Sequence, residues 1–467
     1  MAASARIKPT IYLGAFVHSV ALKELELQEK GAIGVDDNGV IAFVERDVQS
    51  IEDVREKHAA FKEADVVEVK DGFFFPGFID THTHAPQHPN TGLFGQTTLL
   101  SWLQTYTFPM ESSLSSLPLA RTVYTNFVSR TLSHGTTTCA YYATIHVPAT
   151  NLLADICHSL GQRALIGRVC MTSSLSPPTY RDASESSALA DSLASIQYIR
   201  TLDPSAILLH PIVTPRFAPS CTASTLSSLA SLASSTHSHI QTHISENVSE
   251  VELVRELFPE CTSYTHVYDT AGLLTPRTIL AHAVHISPAE RHIIRERGAK
   301  ISHCPASNTA LTSGCCAVRE MLDEGMTVGL GTDVSGGFSP SILEECRQAI
   351  WVSRFRAMGG GDRVKISTEE ALYLATRGGA AVCGFEEQVG GFEVGMLWDA
   401  QMVVLDVVDE ERVGERGGFE GKGGVDVFGW ETLGERVQKW VYSGDDRNTV
   451  AVWVRGRCVH RTGRFKG

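Results

Sequence analysis

Eight short apolar runs alternate with segments of helical period, and β-type runs flank them at both chain ends. This pattern predicts an α/β protein: a TIM-like (β/α)8 barrel over residues 76–389, with a small β-sandwich-like domain formed by residues 1–75 and 390–467. A further observation supports the barrel, because metal-competent side chains recur at the C-terminal ends of the apolar runs, where the βα loops of such a barrel form its active face. With 467 residues and 43% hydrophobic content, the chain can bury a barrel-sized core and a smaller second one.

The elements follow in order. "TIYLGAFV", "GAIGVDDNGVIAFVE" and "DVVEVKDGFFF" read as short strands joined by glycine and charge. The apolar "TIYLGAFVHSVAL" invites comparison with a secretory segment, but Glu24, Glu26 and Glu29 follow at once and no cleavage site stands nearby, so a pair of strands is expected. The eight barrel runs are "FFFPGFIDTH", "TTTCAYY", "RALIGRVCM", "AILLHPIVTP", "HIQTHI", "TILAHAV", "AKISHC" and "MTVGLG". Between and after them come helical patterns such as "LPLARTVYTNFVSRTLSHG", stopped at His134-Gly135, and "SILEECRQAIWVSRFRAM". The serine- and alanine-rich stretches at 184–195 and 222–238 keep apolar spacing and read as helix. Glycine and charge from Glu411 to Gly429 predict a flexible insertion. On either side of it, "MLWDAQMVVLDV" and "VQKWVYSGDDRNTVAVWVRGRCV" read as strands that join the N-terminal block.

Composition narrows the partners. A formal net charge of -13 argues against a nucleic-acid or anionic-membrane surface. No run reaches the roughly 18 apolar residues of a membrane span. The 11 cysteines are scattered, with only Cys315-Cys316 close together and no CxxC, which suits free thiols in a reducing compartment. A soluble cytoplasmic protein is expected.

Strand one ends in His82 and His84, which share a face in a regular strand. Strand four ends in Thr214-Pro215-Arg216-Phe217, strand five in His243 with Glu246 three residues on, and strand six in His282. Strand seven ends in His303-Cys304-Pro305 and strand eight in Thr332-Asp333. Each is ordinary alone: a strand-end histidine can be structural, Asp333 can cap a helix, and Glu246 can serve a helix dipole. Their recurrence at one end of consecutive strands points to a metal site. Three imidazoles and a carboxylate suit zinc or iron better than magnesium or calcium. Such a metal lowers the pKa of its water to about 7, so the chemistry expected is hydrolytic attack on an electrophilic carbon.

The succession PGFIDTHTH, HISE, the histidine of "LAHAV", HCPASN and GLGTDV resembles the amidohydrolase superfamily, in its single-metal aminohydrolase branch. The strings "THTHAPQH", "WLQTYTFPME", "TPRFAPSC", "THISEN", "LGTDVSGGFS" and "YSGDDRN" narrow the resemblance to the guanine deaminase family, across nearly the whole chain. The resemblance implies that His82, His84, His243 and Asp333 hold one zinc per chain, with iron the alternative. It implies that His282 hydrogen-bonds the water, that Asp333 helps to orient its attack, and that Glu246 carries the proton. It further implies guanine as substrate, xanthine and ammonia as products, Gln87, Arg216 and Phe217 as substrate contacts, and a homodimer. Those contacts make chemical sense: an arginine fork suits the O6 and N7 acceptors of guanine, an aromatic ring stacks on a purine, and Gln87 can serve its amide-like edge.

Two rivals are of different kinds. One is another reaction on the same scaffold, such as deamination of 8-oxoguanine or of adenosine- or cytosine-type substrates, or triazine dechlorination. The other is a non-catalytic scaffold, which would normally have lost a ligand or the shuttle, yet all six residues are present. The zinc deaminases carrying H-x-E and P-C-x-x-C are excluded, because neither element occurs. Of the remaining histidines, His88 and His285 read as bystanders and His303 as a wall of the site.

Overall fold

A computed structural model describes residues 6–408 and 423–465. The eight expected runs form eight parallel strands in ring order: Phe78–His84, Thr136–Tyr142, Arg163–Gly167, Leu209–Pro215, His239–Ile244, Thr278–His282, Lys300–His303 and Val328–Leu330. They are barrel strands one to eight below. Just past the end of strand eight, the Asp333 N–H donates to the His82 carbonyl at 2.8 Å and the His84 N–H to the Val334 carbonyl at 3.1 Å. These bonds bring the last strand onto the first.

Helices cover the outside of the ring. Leu117–Ser133 follows strand one and Val147–Leu160 strand two, and left-handed Gly135 and Gly161 stand just past their ends. Both serine-rich stretches are helical, as Glu185–Leu202 and Ala223–Ser235, with Ser184 and Thr222 as side-chain caps. Inside the ring, Ile79, Ala140, Leu165, Ile212 and Ile279 form one buried cluster with Ala380, Val382, Phe385 and Val389. Strands so far apart around a ring meet only through its interior. This hydrocarbon is the floor of the barrel, below the strand ends that carry the polar residues.

The chain-end strands meet in one mixed sheet, in the order Arg457–Arg461, Thr449–Val454, Ala400–Val404, Gly72–Pro76, Thr10–Ala21, Glu24–Val35 and Ile41–Glu45. Asp65–Glu68 lies parallel to the first half of Thr10–Ala21. Tyr12, Phe74, Trp398 and Trp453 pack together in one apolar layer, while Ile11, Ala32 and Phe43 belong to another with Val54 and Phe61.

Three expectations change. The run "FFFPGFIDTH" is two strands, because its first part pairs in the sheet and its second in the barrel. Gly77 marks the break, where a Cβ would lie 2.2 Å from the Thr137 hydroxyl oxygen. The stretch "VQKWVYS" is helix, within Leu433–Ser443: Leu433, Val437, Trp440 and Val441 are buried at helical spacing, and Thr432 and Glu435 form a capping box. Its aromatic and β-branched content suggested a strand, and periodicity decided otherwise. Of the expected flexible insertion, residues 411–422 lie outside the described residues. Asp426–Val427 instead pairs in parallel with Asp406–Val407, and Val425 and Val427 are buried.

Candidate active site

The expected strand-end residues, apart from His303, converge on the mouth of the ring. Several take left-handed backbone without being glycine: Ser245 (φ 48°), His282 (φ 74°), Ala283 (φ 50°) and Asp333 (φ 44°). Such backbone costs on the order of 1–3 kcal/mol per residue and persists where the surrounding structure enforces it. Asp80 enforces part of it. Buried beneath His82, its carboxylate accepts from the Thr332 N–H at 3.0 Å, the Thr332 hydroxyl at 2.6 Å and the His82 N–H at 3.2 Å. Strand one is irregular between Asp80 and Thr83, where its pairing with strand two shifts, yet both histidine rings still meet, with centroids 5.0 Å apart.

His82, His84, His243 and Asp333 offer ligand atoms that all lie within 4.8 Å of one another. His82 Nε2 is 3.1 Å and His84 Nε2 3.3 Å from Asp333 Oδ1, and His84 Nε2 is 3.1 Å from His243 Nε2. The Nδ1 of His243 donates to the Arg216 carbonyl at 2.6 Å, which leaves only a lone pair on its Nε2. Three imidazole nitrogens and a carboxylate oxygen facing one point fit a shared cation. Burial, above all, lowers the pKa of all three histidines, which favours the neutral form a ligand needs. Burial alone would raise the Asp333 carboxyl. The hydrogen bond to His82 and the surrounding imidazoles outweigh it and hold Asp333 well below the usual carboxylate range. The Ser307 hydroxyl donates to Asp333 Oδ2 at 2.6 Å.

Beside this cluster stand two more titratable groups. His282 Nε2 lies 3.4 Å from Glu246 Oε2 and 3.8 Å from Asp333 Oδ2, and its ring is anchored through Nδ1 to the Asn308 side-chain oxygen at 2.9 Å. Burial raises the Glu246 carboxyl well above its ordinary range, with the negative charges of Asp333 and Glu250 adding to the effect. Ser313 donates to its Oε1 at 3.3 Å, while Glu250 accepts from the Glu246 N–H at 2.8 Å and holds the loop. A carboxyl so placed can hold a proton and return it.

Next to it lies a pocket with about 370 Å³ of empty space, part of it open to solvent, lined by Gln87, Arg216, Phe217, Glu246 and Asp333, with Leu99, Trp102 and Leu103 among its apolar walls. Its mix of apolar wall with a few polar groups suits a small flat molecule. All three expected substrate contacts therefore line one space. His303 does not: it is buried away from this pocket, and burial pushes its pKa down to about 3. His88 pairs with Asn126 at 2.9 Å and His285 with the Ser313 carbonyl at 2.7 Å, both away from the pocket wall.

Sequence reasoning missed the residues that hold the others in place. Ser307, Asn308 and Ser313 sit within and just after the helix Pro305–Ala310, and Glu111 belongs to the helix Phe108–Ser113. Glu111 and the first two serve as partners to Arg216, Asp333 and His282. "WLQTYTFPME" and "HCPASN" contain Glu111, Ser307 and Asn308, so the strings were visible although the roles were not.

Comparison with known proteins agrees with this geometry. Residues 73–459 match the Amidohydrolase family. A protein of Schizosaccharomyces pombe named "Probable guanine deaminase" is 47% identical over 453 residues, covering 96% of this chain and 83% of its own. The guanine deaminase of Homo sapiens is 38% identical, with 96% of each chain covered. The crystal structure of guanine deaminase from C. acetobutylicum, with guanine bound in its active site, superimposes with a TM-score of 0.85 at 29% identity, covering 97% of this chain and 100% of that one.

Proposed function

The chain belongs to the amidohydrolase family and, within it, to the guanine deaminases, and from that premise we propose that it hydrolyses guanine to xanthine and ammonia at the barrel mouth. In this reading His82, His84, His243 and Asp333 hold one zinc ion per chain, with iron the alternative. When bound, the metal supplies a hydroxide nucleophile at neutral pH by lowering the pKa of water to about 7.

The chain's own groups do the rest. Gln87, Arg216 and Phe217 hold the purine flat in the pocket, with its C2 toward Glu246. Glu246 takes the proton of the attacking water and returns it to a ring nitrogen beside C2 as oxygen adds there. The proton of the new C2 hydroxyl then passes through Glu246 to the exocyclic amine, the C2–N bond breaks, and ammonia leaves with its electron pair while the C2 oxygen becomes the xanthine carbonyl. His282 and Asp333 flank the same space and orient the nucleophile by hydrogen bonds. The observation that carries this reading is that Glu246, His282 and Asp333 close around one point beside a pocket lined by Arg216 and Gln87. The test is ultraviolet detection of guanine turning to xanthine, with adenine and a chelator-treated sample alongside. Guanine loss that stops on chelation and returns with zinc is expected, and metal-replete protein inert toward guanine would overturn the assignment.

The reading extends to the chain's organisation. Residues 76–389 form the catalytic barrel domain, and residues 1–75 and 390–467 together form a composite β domain, supported by the strands both ends give to one sheet. A homodimer is supported by Trp351, Phe355 and Met358, exposed at helical spacing on Ile342–Gly360, and sedimentation velocity checks it. No helix among the described residues is long and apolar enough to cross a membrane. Cytoplasmic residence is supported by free cysteines, most of them buried, and localisation of a tagged chain checks it.

A further inference from the structure

Glu111 is fully buried and lies outside the pocket wall, yet its carboxylate takes four hydrogen bonds. Arg216 Nη1 donates to Oε2 at 2.6 Å and Nη2 to Oε1 at 3.1 Å, Gln87 Nε2 donates to Oε1 at 2.8 Å, and the Tyr180 hydroxyl donates to Oε2 at 2.7 Å. Four donors saturate the two oxygens of a carboxylate. Two of the three side chains bound in this way, Arg216 and Gln87, line the purine pocket.

Resting on the guanine reading, we propose that Glu111 is a specificity-determining positioning residue: by holding Arg216 and Gln87 it makes their wall of the pocket a wall of hydrogen-bond donors. The Gln87 amide could in principle face either way. Beside Glu111 only its NH2 end fits, because a flip would set Oε1 against the carboxylate. That Oε1 faces the Ser335 N–H at 3.3 Å. What Gln87 has left to offer is its second amide hydrogen. Arg216 spends one hydrogen from each terminal nitrogen on Glu111 and keeps the other three of its five. At this wall the two residues therefore present N–H groups and no acceptor.

A purine with oxygen at its six position meets that wall with the O6 and N7 acceptors. Adenine brings an amino donor where O6 would be, and a donor facing donors leaves buried groups unpaired. Glu111 thus controls which purine edge is accepted without touching the purine. A glutamine at this position would offer one oxygen instead of two and turn an NH2 toward Arg216 or Gln87. The Gln87 amide would then be free to flip and expose its own oxygen to the pocket.

The test compares wild type, Glu111→Gln and Glu111→Asp in the metal-loaded enzyme. It measures kcat and KM for guanine, the inhibition constants of hypoxanthine and adenine, metal content and thermal stability. For E111Q, KM for guanine and the inhibition constant of hypoxanthine should each rise about 10-fold or more, with a smaller fall in kcat, while adenine binds as before or better. The preference for hypoxanthine over adenine should narrow by about the same factor. E111D keeps the charge on a stem one methylene shorter, so its preference should narrow by less, and this variant decides the matter if E111Q does not fold. If both inhibitors weaken by the same factor, within about twofold, in the variant that folds, Glu111 is packing alone and the inference falls. Wild-type protein that leaves guanine untouched would instead remove the guanine reading itself, and this inference with it.

Discussion

At the mouth of the barrel, His82, His84, His243, Glu246, His282 and Asp333 stand together, two of them on left-handed backbone. At the floor, Ile79, Ala140, Leu165, Ile212 and Ile279 fill the same ring with hydrocarbon. The floor side chains sit in a close-packed cluster, and full burial of each isoleucine or leucine contributes roughly 1.5–3 kcal/mol. The mouth carries strained backbone at about 1–3 kcal/mol per residue, and several of its polar groups are held by partners. The partners come from loops and short helices outside the strands, such as Asn308 for His282 and Ser307 for Asp333. The lesson is a division of labour along each strand: one end holds the fold together, and the other can afford strain because it does.

That division can be broken from either side. At the mouth, Glu246→Gln removes the proposed proton carrier and keeps its shape, so kcat for guanine should fall about 10³-fold with metal content and melting temperature retained. Activity within about tenfold of wild type would mean that the shuttle lies elsewhere. At the floor, Ile279→Ala opens a cavity among fully buried neighbours and should lower stability by about 2–4 kcal/mol in urea titration, with kcat unchanged. A matching fall in kcat would show that the two ends are not independent. The smallest effect is one of pH. His239, at the start of strand five, has its pKa lowered to about 4, by burial first and then by Arg277, His210 and Lys300. The unfolded imidazole takes up its proton near 6.5, so between pH 6.5 and 4 unfolding binds a proton and the fold loses stability as pH falls, by at most about 1.4 kcal/mol per pH unit. Above pH 6.5 the contribution vanishes. His239→Asn should flatten that part of the stability curve, and an unchanged slope would reassign it to other groups.

How far the two ends were legible in the sequence differs in the same way. The residues of the proposed metal site could be read because strand ends repeat: histidines after apolar runs carry a spacing that survives in one dimension. The barrel floor was legible as eight apolar runs. Glu111, Ser307 and Asn308 carry no such spacing. They are ordinary polar residues in short helices, and their partners Arg216, Asp333 and His282 are brought to them only by closure of the ring. Helix Leu433–Ser443 was misread for a local reason, because Val437, Trp440, Val441 and Tyr442 have strand-like composition while its capping box and apolar spacing are those of a helix.

The pairing of Ala400–Val404 with Gly72–Pro76 has a consequence for how the chain is made. Gly72–Pro76 is an interior strand of its sheet, yet its neighbour on one side is synthesised more than 300 residues later. During translation the early β segment waits with an open hydrogen-bonding edge while the whole barrel emerges, and it can be completed only after the last barrel strand has left the ribosome. Long-range closure of this kind slows folding and leaves an edge exposed to other chains in the interval. The late strands are therefore the latch of the structure. A nascent chain arrested before residue 400 should bind holdase chaperones through the Gly72–Pro76 edge, even with all eight barrel strands already outside the ribosome.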